Sequence, residues 1–257
     1  MSSEKKAIEL VSVSKSYHTR DGRIDAVSDI TFNIERGEFF TIIGPSGCGK
    51  STVLSMIAGL SAQSSGTITV DGKPVKGPSP EHIAVAFQDP GLLPWRSVLK
   101  NVELGLETRS EISKGKREDI AKKYLELVGL AGFEEKYPHQ LSGGMKQRVA
   151  IARCLSLDTD ILLLDEPFGA LDEQTRLIMG EELLKILTVA SKTVLLVTHS
   201  IQEAVNLSDR VLVMSPRPGK IKRIVELEME RPRKITSPEF VAYMDELWSL
   251  IRRSSIT

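Results

Sequence analysis

Cysteine is scarce in this chain of 257 residues: Cys48 and Cys154 are the whole complement. Two thiols without metal-ligand spacing supply neither a disulfide framework nor a cysteine-based metal site, and they fit a reducing compartment. Long apolar runs are missing as well. No uncharged stretch approaches the roughly 18–20 residues of a membrane span, and MSSEKKAIELVSVSKSY at the start has no apolar segment of signal-peptide length, so the chain is expected to be neither secreted nor integral to a membrane. Excess charge of either sign is absent too. The 34 Lys and Arg balance 34 Asp and Glu, which excludes recognition of nucleic acid or anionic lipid through a global basic field. What remains, 41% hydrophobic and 26% charged residues, is the composition of an ordinary globular protein, long enough to bury a core without covalent staples.

Strand-like apolar runs recur at Ile8 to Val13, Ile30 to Ile34, Phe39 to Ile43, Ile83 to Phe87, Ile161 to Leu164, Val194 to Val197 and Val211 to Met214. Several are continuously apolar, as strands covered on both faces must be, and helical stretches lie between them. The pattern predicts an α/β fold with a mainly parallel central sheet. The first 35 residues and Ile221 to Met229 alternate more, with turn signals at Asp21-Gly22 and Pro218-Gly219, and read as antiparallel additions. From about Pro90 to Leu157 helical periodicity replaces strands, in Val98 to Leu106, Lys116 to Val128 and Met145 to Leu155, which predicts an inserted helical subdomain. A last helix is expected over Pro238 to Arg253, with Phe240, Val241, Met244, Leu247, Trp248 and Ile251 at helical spacing after a Ser237 cap.

The strongest chemical signal is Gly44-Pro-Ser-Gly-Cys-Gly-Lys-Ser51, between the run Phe39 to Ile43 and the helical run Thr52 to Leu60. At background composition a chance match to GxxxxGK[ST] in a chain of this length is about one in a hundred. Glycines let successive N–H groups converge on phosphate oxygens, and the following helix N-terminus adds positive potential. Lys50 reaches the β and γ phosphates, and the Ser51 hydroxyl can ligate Mg²⁺. The cradle expected to hold a nucleotide runs through Gly44, Pro45, Ser46, Gly47, Cys48, Gly49, Lys50, Ser51 and Thr52. At Cys48 the backbone, not the thiol, is expected to matter.

Three further strand ends carry polar residues. Ile161 to Leu164 delivers Asp165, suited to hold a Mg²⁺ shell, and Glu166, suited to polarise a water for in-line attack. Gln88 follows Ile83 to Phe87 and can supply a Mg²⁺ or water contact. His199 follows Val194 to Thr198 and can touch the γ phosphate and orient the attacking water. All four ends are expected at one edge of the sheet. Separately, Leu141-Ser142-Gly143-Gly144-Met145 precedes an amphipathic helix, with Ser142 a natural N-cap and two glycines leaving amides exposed at a positive helix end. One mononucleotide site has no need of two such devices, so the second is expected to serve a nucleotide held by another copy of the chain.

In these elements the sequence resembles the ATP-binding subunits of ABC transporters over nearly its whole length. The matching positions are an A-loop at Tyr17, Walker A at Gly44 to Ser51, a Q-loop at Gln88, the signature LSGGM at 141 to 145, Walker B ILLLDE at 161 to 166, a D-loop ALD at 170 to 172 and a switch histidine at His199. The resemblance implies a P-loop NTPase core of RecA type with an N-terminal antiparallel β subdomain and an inserted helical one, residues 1–257 forming one ATP-binding domain. It implies ATP and Mg²⁺ as ligands, with Ser51, Gln88 and Asp165 around the metal and Lys50, Gln88, Glu166 and His199 as catalytic residues. It further implies a head-to-tail dimer with ATP between one chain's phosphate loop and the other's signature, where Ser142, Gly143, Gly144 and Asp172 complete the nucleotide site and Tyr17 stacks on adenine. Hydrolysis would open the dimer and drive membrane permease subunits at the cytoplasmic face, with an extracellular or periplasmic solute-binding protein engaged indirectly and no nucleic acid bound.

Two positions depart from the family pattern: Met145 stands where Gln is commoner, and Gly169 where Ser usually precedes ALD. Neither removes an expected phosphate contact. LLPWRSVLKNV (92 to 102), EPFGALD (166 to 172) and SPRPGKI (215 to 221) look like the importers of nitrate, sulfonates and taurine, with Trp95 and Arg96 near the surface that would receive a permease. Local packing and a solvated charge are the alternative reading of that pair, and a solvated helix face is the expected reading of Lys114, Lys116, Arg117, Lys122 and Lys123. An exporter subunit, or a soluble ATPase of the same superfamily acting on nucleic acid or ribosomes, is the alternative function. A GTPase is disfavoured, since no NKxD base-reading motif occurs.

Overall fold

The computed structural model describes residues 6–20, 22–189 and 191–252. Asp21 of the predicted turn, Arg253 of the predicted last helix and the first five residues lie outside them. The chain divides into two compact units, Met1–Ser79 with Leu184–Thr257, and Pro80–Leu183.

The first unit begins with two long strands, β1 (Lys6–Thr19) and β2 (Gly22–Glu35), paired antiparallel with Thr19 opposite Gly22 and Ile8 opposite Ile34. Next come β3 (Phe39–Ile43), every residue of which is buried, and α1 (Lys50–Ile57). Two strands follow that the apolar-run reading passes over, β4 (Ser65–Val70) and β5 (Lys73–Pro74). β4 buries only Ile68 and Val70, and β5 is two exposed residues long, so neither carries a run long enough to register. Together they complete a four-stranded antiparallel sheet in the order β2–β1–β4–β5.

The second unit holds β6 (Ile83–Ala86), the helices α2 (Val98–Glu103), α3 (Lys114–Leu127) and α4 (Gly143–Ser156), and β7 (Ile161–Asp165). β6 and β7 pair in parallel, Ala86 beside Leu164. The three helices pack on one another, burying Val98, Val102, Ala121, Leu125, Val149 and Ala152. Lys114, Lys116, Lys122 and Lys123 of α3 are exposed, with Lys122 on Glu118 at 2.7 Å, a solvated face, whereas Arg117 of the expected set is half-buried. After α5 (Glu173–Val189), which crosses the boundary between the units, the chain adds β8 (Thr193–Val197), α6 (Ile201–Leu207), β9 (Arg210–Met214), β10 (Ile221–Glu226) and α7 (Pro238–Arg252).

Within the first unit the strand order is β10–β9–β3–β8, with β9 and β8 parallel to β3 and β10 antiparallel to β9. The additions at both ends of the sequence are therefore antiparallel and the buried middle is parallel. Ile43, Val211, Val213 and Val225 meet Ala204 and Val205 of α6 and Phe240 and Leu247 of α7 in one core. Ser237 starts α7 by accepting the Phe240 amide at 3.3 Å. Among the described residues no helix is long and apolar enough to cross a membrane.

One polar side chain closes this core. Arg233 is buried, and its guanidinium donates to the carbonyls of Val205 (2.6 Å), Ser208 (2.7 Å), Leu227 (3.3 Å) and Met229 (3.1 Å), tying the end of α6 to the segment after β10. Burial pushes the guanidinium down to about 10, so it stays charged at neutral pH. Arg233→Met leaves those carbonyls without their donor, and we expect a loss of roughly 2–4 kcal/mol, read as a lowered denaturation midpoint with unchanged slope in urea.

Candidate functional site

In the first unit, the phosphate loop leaves the end of β3 and enters α1. Gly49 is the hinge of that entry: its φ is +105°, and a Cβ there would stand 2.7 Å from Val27 Cγ2 and 2.9 Å from the Ala26 carbonyl oxygen. Only glycine meets both demands. Lys50 is buried, and its ammonium donates to the carbonyls of Gly44 (3.0 Å) and Pro45 (3.2 Å), which fixes a positive charge inside the loop. The first amides of α1 add to it, an arrangement that attracts a phosphate group. Cys48 is buried with its thiol pushed up by burial, so the thiol is inert and the residue contributes its backbone. Ser51 is exposed in the first turn and Thr52 half-buried.

β8 lies beside β3 in parallel, Val197 against Ile42, so His199 leaves the same edge as the phosphate loop. It is exposed between two anchored neighbours. The Thr198 amide donates to Ile42 (3.3 Å), its hydroxyl meets Glu203 Oε2 at 2.6 Å, and Ser200 caps α6 through the Glu203 amide at 3.2 Å. Tyr17, on β1, is 41% exposed, with the Lys15 ammonium 4.8 Å from its ring centroid.

The second unit repeats the principle. β6 and β7 are parallel neighbours, so Gln88 and Glu166 leave one edge together, and Gln88 Nε2 approaches Glu166 Oε2 at 3.4 Å. Asp165 is buried at the strand end. Glu166 has φ +47°, a left-handed backbone costly for a side chain with a Cβ, which turns its carboxylate out of the strand line. A half-buried carboxylate held beside an amide donor can accept a proton from water.

The glycine-rich start of α4 is in the same unit. Ser142 Oγ accepts the Met145 amide at 3.2 Å, which leaves the Gly143 and Gly144 amides at the helix end. The two glycines differ in kind. A Cβ on Gly144 would press on Leu171 Cδ2 at 2.6 Å, so its lack of a side chain is needed for packing, whereas one on Gly143 would meet only Ala170 Cβ at 3.8 Å. Met145 contributes its amide to the cap, a contact any residue makes, and Gly169 donates its amide to the Glu166 carbonyl at 3.1 Å. Asp172 caps α5, accepting the Thr175 amide at 2.9 Å, and that hydrogen bond holds its carboxyl below the usual carboxylate range.

Three residues that pattern reading did not single out support these groups. Gln147 of α4 is buried and donates to the Phe87 carbonyl at 3.2 Å, while Arg153 of α4 donates to the carbonyls of Pro90 (2.6 Å) and Gly91 (3.1 Å). The helix that starts at Ser142 thus grips the segment around Gln88 at both ends. Asn101 is fully buried; its side chain accepts the Leu93 amide at 2.7 Å and its Nδ2 lies 3.0 Å from the carbonyls of Arg96 and Ser97. That holds rigid a loop whose tip, Trp95, is 72% exposed, while Arg96 pairs with Glu107 at 2.7 Å. A polar residue on the apolar face of a predicted helix is the signal that would have found Gln147 and Asn101.

Comparison with known proteins places these features in one family. The sequence profile of the ABC transporter family matches residues 27–169. The chain is 50% identical to an uncharacterized ABC transporter ATP-binding protein of Methanocaldococcus jannaschii, over 95% of this chain and 91% of that one. It is 44% identical to the nitrate import ATP-binding protein NrtD of Synechocystis, over 95% of each chain. With the taurine import ATP-binding protein TauB of Yersinia pestis it shares 49% identity, over 86% of this chain and 89% of that one. Among solved structures it is similar to the dimeric post-hydrolysis state of the ATP-binding cassette MJ0796 bound to ADP and Pi, with TM-score 0.80 and 34% identity over 87% of this chain and 100% of that one. By this profile match and these identities over most of its length, the chain belongs to the ABC transporter family.

Proposed function

We propose that this chain is the ATP-hydrolysing subunit of an importer for a small anionic or zwitterionic solute of the nitrate, sulfonate and taurine class. The observation that carries the hydrolytic part is the pairing of Gln88 with Glu166 at the end of the two parallel strands, Glu166 in a strained backbone conformation. The import part is supported by the nitrate and taurine import ATP-binding proteins at 44% and 49% identity.

In this reading the amides from Gly44 to Thr52 and the Lys50 ammonium bind the β and γ phosphates, and Tyr17 stacks on the adenine. Glu166 is the general base that takes the proton of the attacking water, His199 contacts the γ phosphate, and Gln88 orients the water. Two copies assemble head to tail, so that Ser142, Gly143, Gly144 and Asp172 of each complete the nucleotide site of the other; the dimeric state of a similar cassette supports the pairing of two copies. Mg²⁺ fits the donors on offer, the Ser51 hydroxyl, the Gln88 amide and the Asp165 carboxylate, all hard oxygen ligands. An ion held by these residues would supply charge neutralisation for the phosphates.

The subunit works at the cytoplasmic face of the membrane, held by permease subunits and reached only indirectly by a solute-binding protein. The rigid loop around Asn101, presenting Trp95, is the proposed seat of the permease.

Lys50→Ala should weaken MgATP binding by about 10- to 100-fold, measured by titration calorimetry. Glu166→Gln should bind MgATP as the wild type does while turnover falls by about 100- to 10,000-fold; wild-type turnover would overturn the general-base assignment. Tagged Glu166→Gln chain, captured from solubilised membranes with MgATP, should recover a multi-spanning permease. Trp95→Ala should lose that permease yet keep MgATP affinity, and recovery of only nucleic-acid-associated proteins would overturn the transport reading.

A further inference from the structure

The stretch Ser215 to Lys220, between β9 and β10, has no part in the chemistry above, yet it is built against the phosphate loop. It closes on itself first: the Ser215 amide donates to the Lys220 carbonyl at 2.9 Å, and the Lys220 amide donates to Ser215 Oγ at 3.0 Å. Gly219 then docks on β2. Its amide donates to Ala26 (3.0 Å) and its carbonyl accepts the Ser28 amide (2.9 Å), a parallel bridge opposite Val27. This is the same Ala26–Val27 backbone on which Gly49 rests. A Cβ on Gly219 would overlap the Cys48 carbonyl oxygen and stand 2.6 Å from Met214 Cε, so no other residue fits between β9 and the phosphate loop without moving one of them. A Cβ on Gly44 would stand 3.1 Å from Met214 Cβ. The loop is thus packed behind the phosphate loop at both of its ends.

From this seat Arg217 reaches forward. Its Nε donates to the Gly47 carbonyl at 3.2 Å. Gly47 has φ +73°, a position with no side chain of its own to hold the following peptide. In a trans peptide the carbonyl and the next N–H point in opposite directions, so holding the Gly47 oxygen toward Arg217 turns the Cys48 N–H the other way. That N–H donates at 3.3 Å to the Pro45 carbonyl, the oxygen that also receives the Lys50 ammonium, and it therefore faces the interior of the phosphate loop. Among the described residues no carboxylate pairs with Arg217. Its charge adds to the positive potential around the loop.

We propose that Arg217 is a positioning residue for nucleotide binding: through the Gly47 carbonyl it holds the Cys48 amide in phosphate-binding orientation, and its charge raises affinity for the polyphosphate without entering the hydrolytic step. This rests on the reading of residues 44–51 as the ATP phosphate loop. The contribution belongs to substrate binding and not to the transition state, so it falls on KM and leaves kcat alone.

The test compares full-length wild type, Arg217→Ala, Arg217→Lys and Lys50→Ala. MgATP affinity is measured by titration calorimetry, and ATPase kinetics are followed for the Arg217 variants. Arg217→Ala should bind MgATP about 5- to 20-fold more weakly, with KM raised in proportion and kcat within about twofold of wild type. Arg217→Lys, which keeps the charge and a donor, should recover to within about threefold. The side chain is exposed, so thermal midpoints should not move. Wild-type affinity in Arg217→Ala alongside weakened Lys50→Ala would overturn this proposal and leave the phosphate-loop reading intact. A fall in kcat at unchanged affinity would overturn it by placing Arg217 in the chemistry. Equal loss in the Lys and Ala variants with a lowered thermal midpoint would overturn it in favour of a purely structural role. Failure of the wild type to bind MgATP would overturn the phosphate-loop reading and this proposal together.

Discussion

Parallel pairing between buried strands is the constraint on which the candidate chemistry depends. Parallel neighbours end at the same edge, so the residue that follows each strand is delivered beside the residue that follows its partner. β3 and β8 do this for the phosphate loop and His199, and β6 and β7 do it for Gln88 and Glu166. Burial favours that register: β3, β7 and β8 have no exposed residue, so a slip would push polar strand ends inward and apolar side chains toward water.

The polar side chains that matter most to the architecture are not those that face a nucleotide. Arg233 satisfies carbonyls at the end of α6 and after β10, Gln147 and Arg153 fasten α4 to the segment around Gln88, and Asn101 fixes the loop that carries Trp95. Arg233 in particular occupies a place where backbone carbonyls would otherwise be buried without donors, at a cost of about 1–3 kcal/mol apiece. Gln88 and His199 are exposed and Glu166 half-buried, while Lys50 and Asp165 are buried. His199 stands between Thr198 and Ser200, both hydrogen-bonded.

The departures from the family pattern fall where side chains are not asked to do anything. Met145 serves through its amide, and Gly169 through an amide directed at the Glu166 carbonyl. Gly144, by contrast, is held by sterics as well as by any phosphate contact, because Leu171 fills the space a Cβ would need. The stretch from Ser215 to Lys220 shows the same economy in reverse. Its resemblance to a group of importers marks it in the sequence without giving a reason, and the reason is a close backbone approach behind the phosphate loop.

Local signals determined a good part of this protein by themselves. Continuous apolar runs identify the buried strands, Ser142 and Ser237 mark helix starts, and the glycine spacing before Lys50 specifies a phosphate cradle, since these depend on neighbours along the chain. The strands β4 and β5 stayed hidden because each is stabilised by pairing rather than by an apolar run of its own. Likewise the grip of Gln147 on Phe87, the four carbonyls around Arg233, the strained turn at Glu166 and the seat of Gly219 between β2, β9 and Cys48 were decided only by the tertiary structure. In each of these at least one partner is a backbone atom far away in sequence, or the backbone conformation is imposed from outside. Residue type announces a side chain's chemistry, but a main-chain carbonyl looks the same at every position until folding brings it near.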